Sequence, residues 1–196
     1  MNPINSQNNN SLKLGFTMVE SLVAITILLI AVVSPLTIVA SSVFQAQVAK
    51  DQITAFYLSN EVFEYVRNMH DTGVLLGDTA DGWLTDSSTS NLDKCKSTGG
   101  NVCELDVLGR RSPIVQNISL SGVVGMCLSD NGYTYCDLGW SGKQTNFKRY
   151  FTVDKVDAVF NGGTVAEYKV TVTVVWNTQS LPRSITSTEY LMDSNY

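Results

Sequence analysis

The chain has 196 residues, of which 44% are apolar, with 18 acidic and 13 basic side chains and a formal charge of −5. That length suits one ordinary domain plus an additional helix. The 13 acids and 10 bases of residues 72–196 argue against the basic footprint of a general nucleic-acid binder, so no nucleic-acid partner is expected. A local basic group such as Lys143, Lys148 and Arg149 reads as a solvated face.

Residues 1–15 are polar and Asn-rich, and Lys13 is their only charged side chain. An apolar run follows from Phe16 to Ala40, and Glu20 is its single formal charge in 25 residues. As a helix this run rises about 37 Å, enough to cross a hydrocarbon core of about 30 Å. Its 14 Leu, Ile, Val and Phe residues favour insertion by about 6 kcal/mol, against about 3 kcal/mol for one carboxylate at mid-membrane. Insertion therefore wins with Glu20 included. A cleaved secretory signal is the competitor, but its apolar core would be only ~7–15 residues long. The only small-residue site after the run is the weak Ala40-Ser41-Ser42.

The order Gly15-Phe16-Thr17-Met18-Val19-Glu20, followed by an apolar helix, resembles the prepilin signal of type IV pilins and type II secretion pseudopilins. The resemblance implies that a membrane prepilin peptidase cuts after Gly15, releasing residues 1–15 as a leader peptide, and methylates the new N-terminus at Phe16. Glu20 then stands fifth in the mature chain. Its carboxylate would meet the Phe16 amine of a neighbouring subunit, each neutralising the other where the dielectric is low. The implied partners are the peptidase, other pilin subunits, an inner-membrane assembly platform, and membrane lipid before assembly. The implied location is a single pass through the cytoplasmic (inner) membrane with the C-terminal part exported, then a cell-surface filament. The competing reading of Glu20 is a carboxylate snorkelling from a plain anchor helix. Pro35 removes a backbone donor and kinks or loosens the span. The resemblance adds that this segment melts during assembly.

Beyond the span, Ala55, Leu58, Val62, Tyr65, Val66 and Met69 recur at three- and four-residue spacing, which extends the helix to about Asp71. His70 falls in the last turn, where it would meet the terminal carbonyls, and Gly73 reads as the stop. Residues 72–111 then read as an irregular connector rich in Gly, Ser, Thr and Asp. A connector that long needs its own anchoring. Cys95 and Cys103 supply it, and together with Cys127 and Cys136 they are expected as disulfides, which persist in an exported part. Of the three pairings, the local Cys95–Cys103 and Cys127–Cys136 close the shortest loops, and the nested Cys95–Cys136 with Cys103–Cys127 is the runner-up. Neither spacing suits zinc, and no metal or other cofactor is expected.

From Ser112 onward the period becomes two. Strands are predicted over Ile114 to Leu120, Tyr133 to Leu138, Phe147 to Val156, Glu167 to Trp176 and Arg183 to Leu191. The clearest places Tyr168, Val170, Val172, Val174 and Trp176 on one face. Turns at Asn161-Gly162-Gly163 and Asn177 to Pro182 imply an antiparallel meander. The expected fold is α+β, with a long N-terminal helix over residues 16–71, transmembrane in its first half, packed against a C-terminal antiparallel head over residues 72–196. The pieces Thr145 to Phe151, the Val-rich strand ending at Trp176, and Ser187-Thr188-Glu189-Tyr190-Leu191 resemble V-type minor pilins. No catalytic constellation is found. The expected function is a structural minor pilin of a type IV pilus, serving assembly, adhesion or DNA uptake. The alternatives are a secretion pseudopilin and a single-pass surface protein that never polymerises.

Overall fold

A computed structural model describes residues 15, 17–77, 81–84, 92–97, 101–107, 114–129, 132–136, 143–160 and 163–192. The chain divides into two compact units, Met1–Ala46 and Gln47–Tyr196. A single helix, α1 (Met18–Leu76), contributes to both. In the first unit its side chains point outward on every side. Its hydroxyls turn back onto the helix: Thr26 Oγ1 donates to the Val23 carbonyl at 2.8 Å, and Thr37 Oγ1 to the Ser34 carbonyl at 2.8 Å. Ser41 and Ser42 both donate to the Ile38 carbonyl at 2.8 Å. Polar groups so satisfied can sit in an apolar medium at little cost. Pro35 lies within the helix, and the residues on both sides of it remain helical.

In the second unit the helix buries Ala55, Leu58, Ser59, Val62, Phe63, Val66, His70 and Gly73. The three- and four-residue steps put these on one face. The helix ends at Leu76 rather than near Asp71, and Gly73 is not its stop. Gly73 is a small residue on the buried face, whereas Gly77, at φ +74°, is the terminator. Its N–H donates to the Val74 carbonyl at 3.1 Å, as expected of a left-handed residue closing a helix.

The buried helix face lies on a sheet of seven strands: β1 (Asn101–Asp106), β2 (Ile114–Ser119), β3 (Gly125–Ser129), β4 (Gly132–Tyr135), β5 (Lys143–Phe160), β6 (Gly163–Thr178) and β7 (Leu181–Met192). All described pairings are antiparallel. The expected meander holds for β5, β6 and β7. β5 is the central strand. One of its edges pairs with β6 along its length. The other is shared, with β3 against residues 143–148 and β1 at Phe151. Beyond that register the Val153 N–H donates to the Cys95 carbonyl at 2.8 Å, so the segment before β1 continues the edge.

Residues 101–106 were expected to be connector and instead form a strand. The expectation failed because β1 is buried on both faces: Cys103 and Leu105 belong to the core shared with the helix, while Val102 and Glu104 are buried on the other face, where Glu104 accepts the Val124 N–H. A strand covered twice has no apolar–polar alternation to read. β3 was also missed, since Gly125 to Ser129 is too short for a periodic signal. β4 starts one residue earlier than expected and ends at Tyr135; Asp137 and Leu138 lie outside the described residues. Leu120 begins a short 3-10 turn and is not part of β2. The turn residues Asn161 and Gly162 are outside the described residues. The β6–β7 turn places Gln179 and Ser180 at φ 48° and 69°, the left-handed pair that a two-residue hairpin requires.

The core is continuous between helix and sheet. Tyr168, Val170, Val172, Val174 and Trp176 of β6 are all buried, as are Phe147, Phe151 and Val153 of β5. Trp83 stacks edge-on between His70 and Tyr168, with ring centroids 5.2 and 5.0 Å away.

Candidate functional site

The candidate assembly segment is the start of α1. Phe16 lies outside the described residues, as do residues 1–14. At Gly15 an added Cβ would meet nothing within 4 Å, so no local close approach demands glycine there. Thr17 caps the helix. Its Oγ1 accepts the Glu20 N–H at 3.2 Å, and its carbonyl accepts the Ser21 N–H at 3.1 Å. Thr17-Met18-Val19-Glu20 is thus a capping-box sequence, in which a hydroxyl satisfies an orphan N–H of the first turn. A carboxylate at this position also complements the positive helix end. This role of Thr17 was missed from sequence, although the T-x-x-E signature was there to find.

Glu20 is exposed and stands among exposed Met18, Val19, Leu22 and Val23. Further along, Leu28, Leu29 and Ile30 are consecutive and all exposed. Neighbours in sequence are about 100° apart on a helix, so the apolar surface goes fully round. Such a helix suits lipid, or several neighbours at once, better than a single docking face. It is one helix long and apolar enough to cross a membrane.

A second cluster holds the helix to the sheet. Arg149 is 1% exposed. It donates from one terminal nitrogen to the Leu58 carbonyl of α1 at 2.9 Å, and from the other to the Leu105 carbonyl of β1 at 2.6 Å. It also pairs with Glu61 of α1. The Tyr135 hydroxyl donates to the Arg149 carbonyl at 3.1 Å. The solvated-face reading therefore holds for exposed Lys143 and Lys148 and fails for Arg149. Period two, which places residue 149 on the same side as Phe147 and Phe151, carried the correct signal.

Glu104 was also missed. It is buried, and its Oε1 accepts the Val124 N–H at 2.6 Å. Burial pushes its carboxyl up to about 7, against the pull of the Val124 N–H and of the positive Arg149 and Lys148. At the head's periphery Asp81 accepts from Lys155 Nζ at 2.9 Å and from the Tyr168 hydroxyl. These bonds hold the Asp81 carboxyl below its usual range. Arg67 joins Glu189 of β7 at 2.5 Å and Glu64 at 2.7 Å.

The disulfides are Cys95–Cys103 and Cys127–Cys136. The first ties the segment before β1 to β1 inside the core. The second closes the β3–β4 hairpin at its open end, where the Cys136 N–H also donates to the Gly125 carbonyl at 3.0 Å. His70 Nδ1 lies 3.1 Å from Asp71 Oδ1, and His70 belongs to the buried helix face. Among the described residues no group of His, Cys, Asp or Glu has metal-holding geometry.

No family model, curated protein or solved structure matches this chain. The functional reading therefore rests on the chain's own residues.

Proposed function

We propose that the chain is a structural minor pilin of a type IV pilus, cut by a prepilin peptidase after Gly15, methylated at Phe16 and assembled through α1. The observation that supports this most is an apolar helix start, exposed all round, that carries one carboxylate at Glu20. An uncompensated acid in lipid costs about 3 kcal/mol. A cationic amine about 4 Å away returns about 4 kcal/mol at an effective dielectric of 20. The amine of Phe16 from a neighbouring subunit is such a group once Gly15 has been removed. The pair then sets the register between subunits, and the apolar surface supplies the packing. Before assembly the same surface keeps the precursor in the inner membrane at the assembly platform. The head, stapled by two disulfides, forms the exported part.

A second reading has its own support. The Thr17 cap gives Glu20 a purely helical task, and a single-pass surface protein that never polymerises needs no more than that. Two substitutions separate the readings. Glu20→Gln retains a capping-box residue and removes the charge, while Thr17→Ala removes the cap, at about 1 kcal/mol of helix stability, and leaves the charge. Both variants are to be expressed in the native cells, and the chain quantified in sheared filaments and in membranes. The filament reading expects Glu20→Gln to stay in membranes and be lost from filaments, with Thr17→Ala still incorporated. Normal incorporation of Glu20→Gln, or absence of the wild-type chain from filaments, overturns it.

A further inference from the structure

We propose that the end of the head where α1 enters it docks onto a bilayer of anionic phospholipid through Lys50, Lys143 and Arg183. Contacts within the second unit define that end. Thr178 Oγ1 of β6 donates to Asp51 of α1 at 3.0 Å. Arg149, which lies opposite Val174 of β6, donates to the Leu58 carbonyl at 2.9 Å. Arg67 bonds Glu189, which lies opposite Val170, and Trp83 stacks between His70 and Tyr168. As α1 runs from Asp51 to His70, its partners on β6 thus step back from residue 178 to residue 168. The Asp51 end therefore holds the last residues of β6 and the first residues of β5 and β7. There the Asn146 side chain donates to the Asn177 carbonyl at 2.8 Å.

Charges elsewhere in the head are matched, and at this end they are not. Arg67, Lys96, Arg149 and Lys155 each pair with a carboxylate, and Lys169 stands opposite Asp154 in the ladder. Lys143 opens β5, Arg183 is opposite Trp176 near the start of β7, and Lys50 precedes Asp51. None of the three has an ion-pair partner among the described residues. Lys50 and Lys143 are exposed, and the Nε of half-buried Arg183 has no bond. The one carboxylate among them, Asp51, accepts the Thr178 hydroxyl. Lys148 and Asp106 stand one rung further in and carry opposite charges.

The three cations come from a helix and two strands and share only the end of the head, so a plane lying across that end meets them all. Leu181, 56% exposed at the hairpin tip, adds an apolar group beside them. A layer of lipid phosphates is such a plane. It is negative, and its oxygens match the fork of a guanidinium. The chain also holds this end close to a bilayer. Six residues separate Ala40, the last of the apolar run, from Gln47, the first of the head unit. They amount to about 9 Å of helix, and the headgroup layer itself occupies about 5–7 Å. Such tethering lets weak contacts hold. The proposal requires α1 to cross a membrane and is indifferent to filament assembly.

The test places the full chain in nanodiscs of phosphatidylcholine alone or mixed equally with phosphatidylglycerol. Every described cysteine is already paired, so Asn177→Cys gives one labelling site at the docking end and Met192→Cys one at the far end of β7. A fluorophore at residue 177 should be quenched by headgroup-nitroxide lipid in anionic discs, much less in neutral ones, and less again at high salt. One at residue 192 should be quenched in neither. Lys50→Gln, Lys143→Gln and Arg183→Gln should each lower the docked-to-undocked ratio about fivefold, and Lys169→Gln should leave it unchanged. Intact head disulfides on non-reducing peptide maps verify folding of each variant. Equal quenching at residue 177 in both kinds of disc, equal quenching at residues 177 and 192, or an unchanged ratio in the triple variant overturns the docking. Failure of the chain to enter discs of either kind overturns the membrane span, and the docking with it.

Discussion

Removing the Arg149 side chain should destabilise the head more than any other single polar change. Its guanidinium bridges three elements, bonding Leu58 of α1 at 2.9 Å and Leu105 of β1 at 2.6 Å from a backbone position on β5. Hydrogen bonds from a charged donor contribute about 1.5–3 kcal/mol each, and removing one partner from a buried cluster costs about 3–5 kcal/mol. Arg149→Ala leaves the Leu105 carbonyl without its guanidinium donor and opens a void in a fully buried site. We expect a loss of about 4 kcal/mol, at the middle of that range. Glu61→Gln should cost far less, about 1 kcal/mol, because the Glu61 side chain is 33% exposed and water replaces part of the pairing. The double variant should cost less than the sum of the single ones, since both remove the same ion pair. Urea titration of the full chain in detergent, followed by fluorescence of the buried Trp83 and Trp176, reads all three. A loss below about 1 kcal/mol for Arg149→Ala, the range of exposed charges, would refute the view that this residue locks helix to sheet.

Two further outcomes follow from the head. Glu104 has a folded pKa of about 7 against 4.5 for the free group, so the folded state holds its proton more tightly. Its contribution is fully present below pH ~4.5 and is lost as pH rises through about 7, a change of at most about 3 kcal/mol. The urea midpoint should therefore fall between pH 5 and pH 8, and Glu104→Gln, which keeps an acceptor for the Val124 N–H, should flatten that slope and raise stability at pH 8. A wild-type midpoint that rises over this interval contradicts the assignment. Removing either disulfide, as Cys95→Ala with Cys103→Ala or Cys127→Ala with Cys136→Ala, reopens loops of sequence separation 8 and 9. Chain entropy alone puts each loss at about 2.5 kcal/mol. The first pair should cost more, because Cys95 and Cys103 are core residues and the Cys95 carbonyl completes the β5 edge; equal denaturation midpoints for the two variants would oppose this ranking.

What the sequence disclosed depended on how many faces of an element are covered. β6 was readable because Tyr168, Val170, Val172, Val174 and Trp176 face the helix while Lys169, Thr171 and Thr173 face outward. The α1 stripe was readable for the same reason, with Ala55, Leu58, Val62 and Val66 buried in sequence-expected order. β1 was not, because a buried Glu104 beside Val102 and Cys103 looks like neither a half-buried strand nor an apolar run. Gly73 misled because glycine serves close packing as well as helix termination, and only Gly77 has the positive φ that identifies a terminator. Arg149 was read by its charge, when its position in the period-two pattern was the better guide. At the helix start, Thr17 passed as part of a processing motif, although its hydroxyl has a local task in capping.

The proposed function requires the mature chain to begin at Phe16. Mass spectrometry of the N-terminal peptide, taken from sheared surface filaments and from membranes, tests it directly. The expected result is a filament form starting at N-methylated Phe16, with a longer precursor confined to membranes. A mature chain that starts at Met1, or at a residue beyond Ala40, contradicts it.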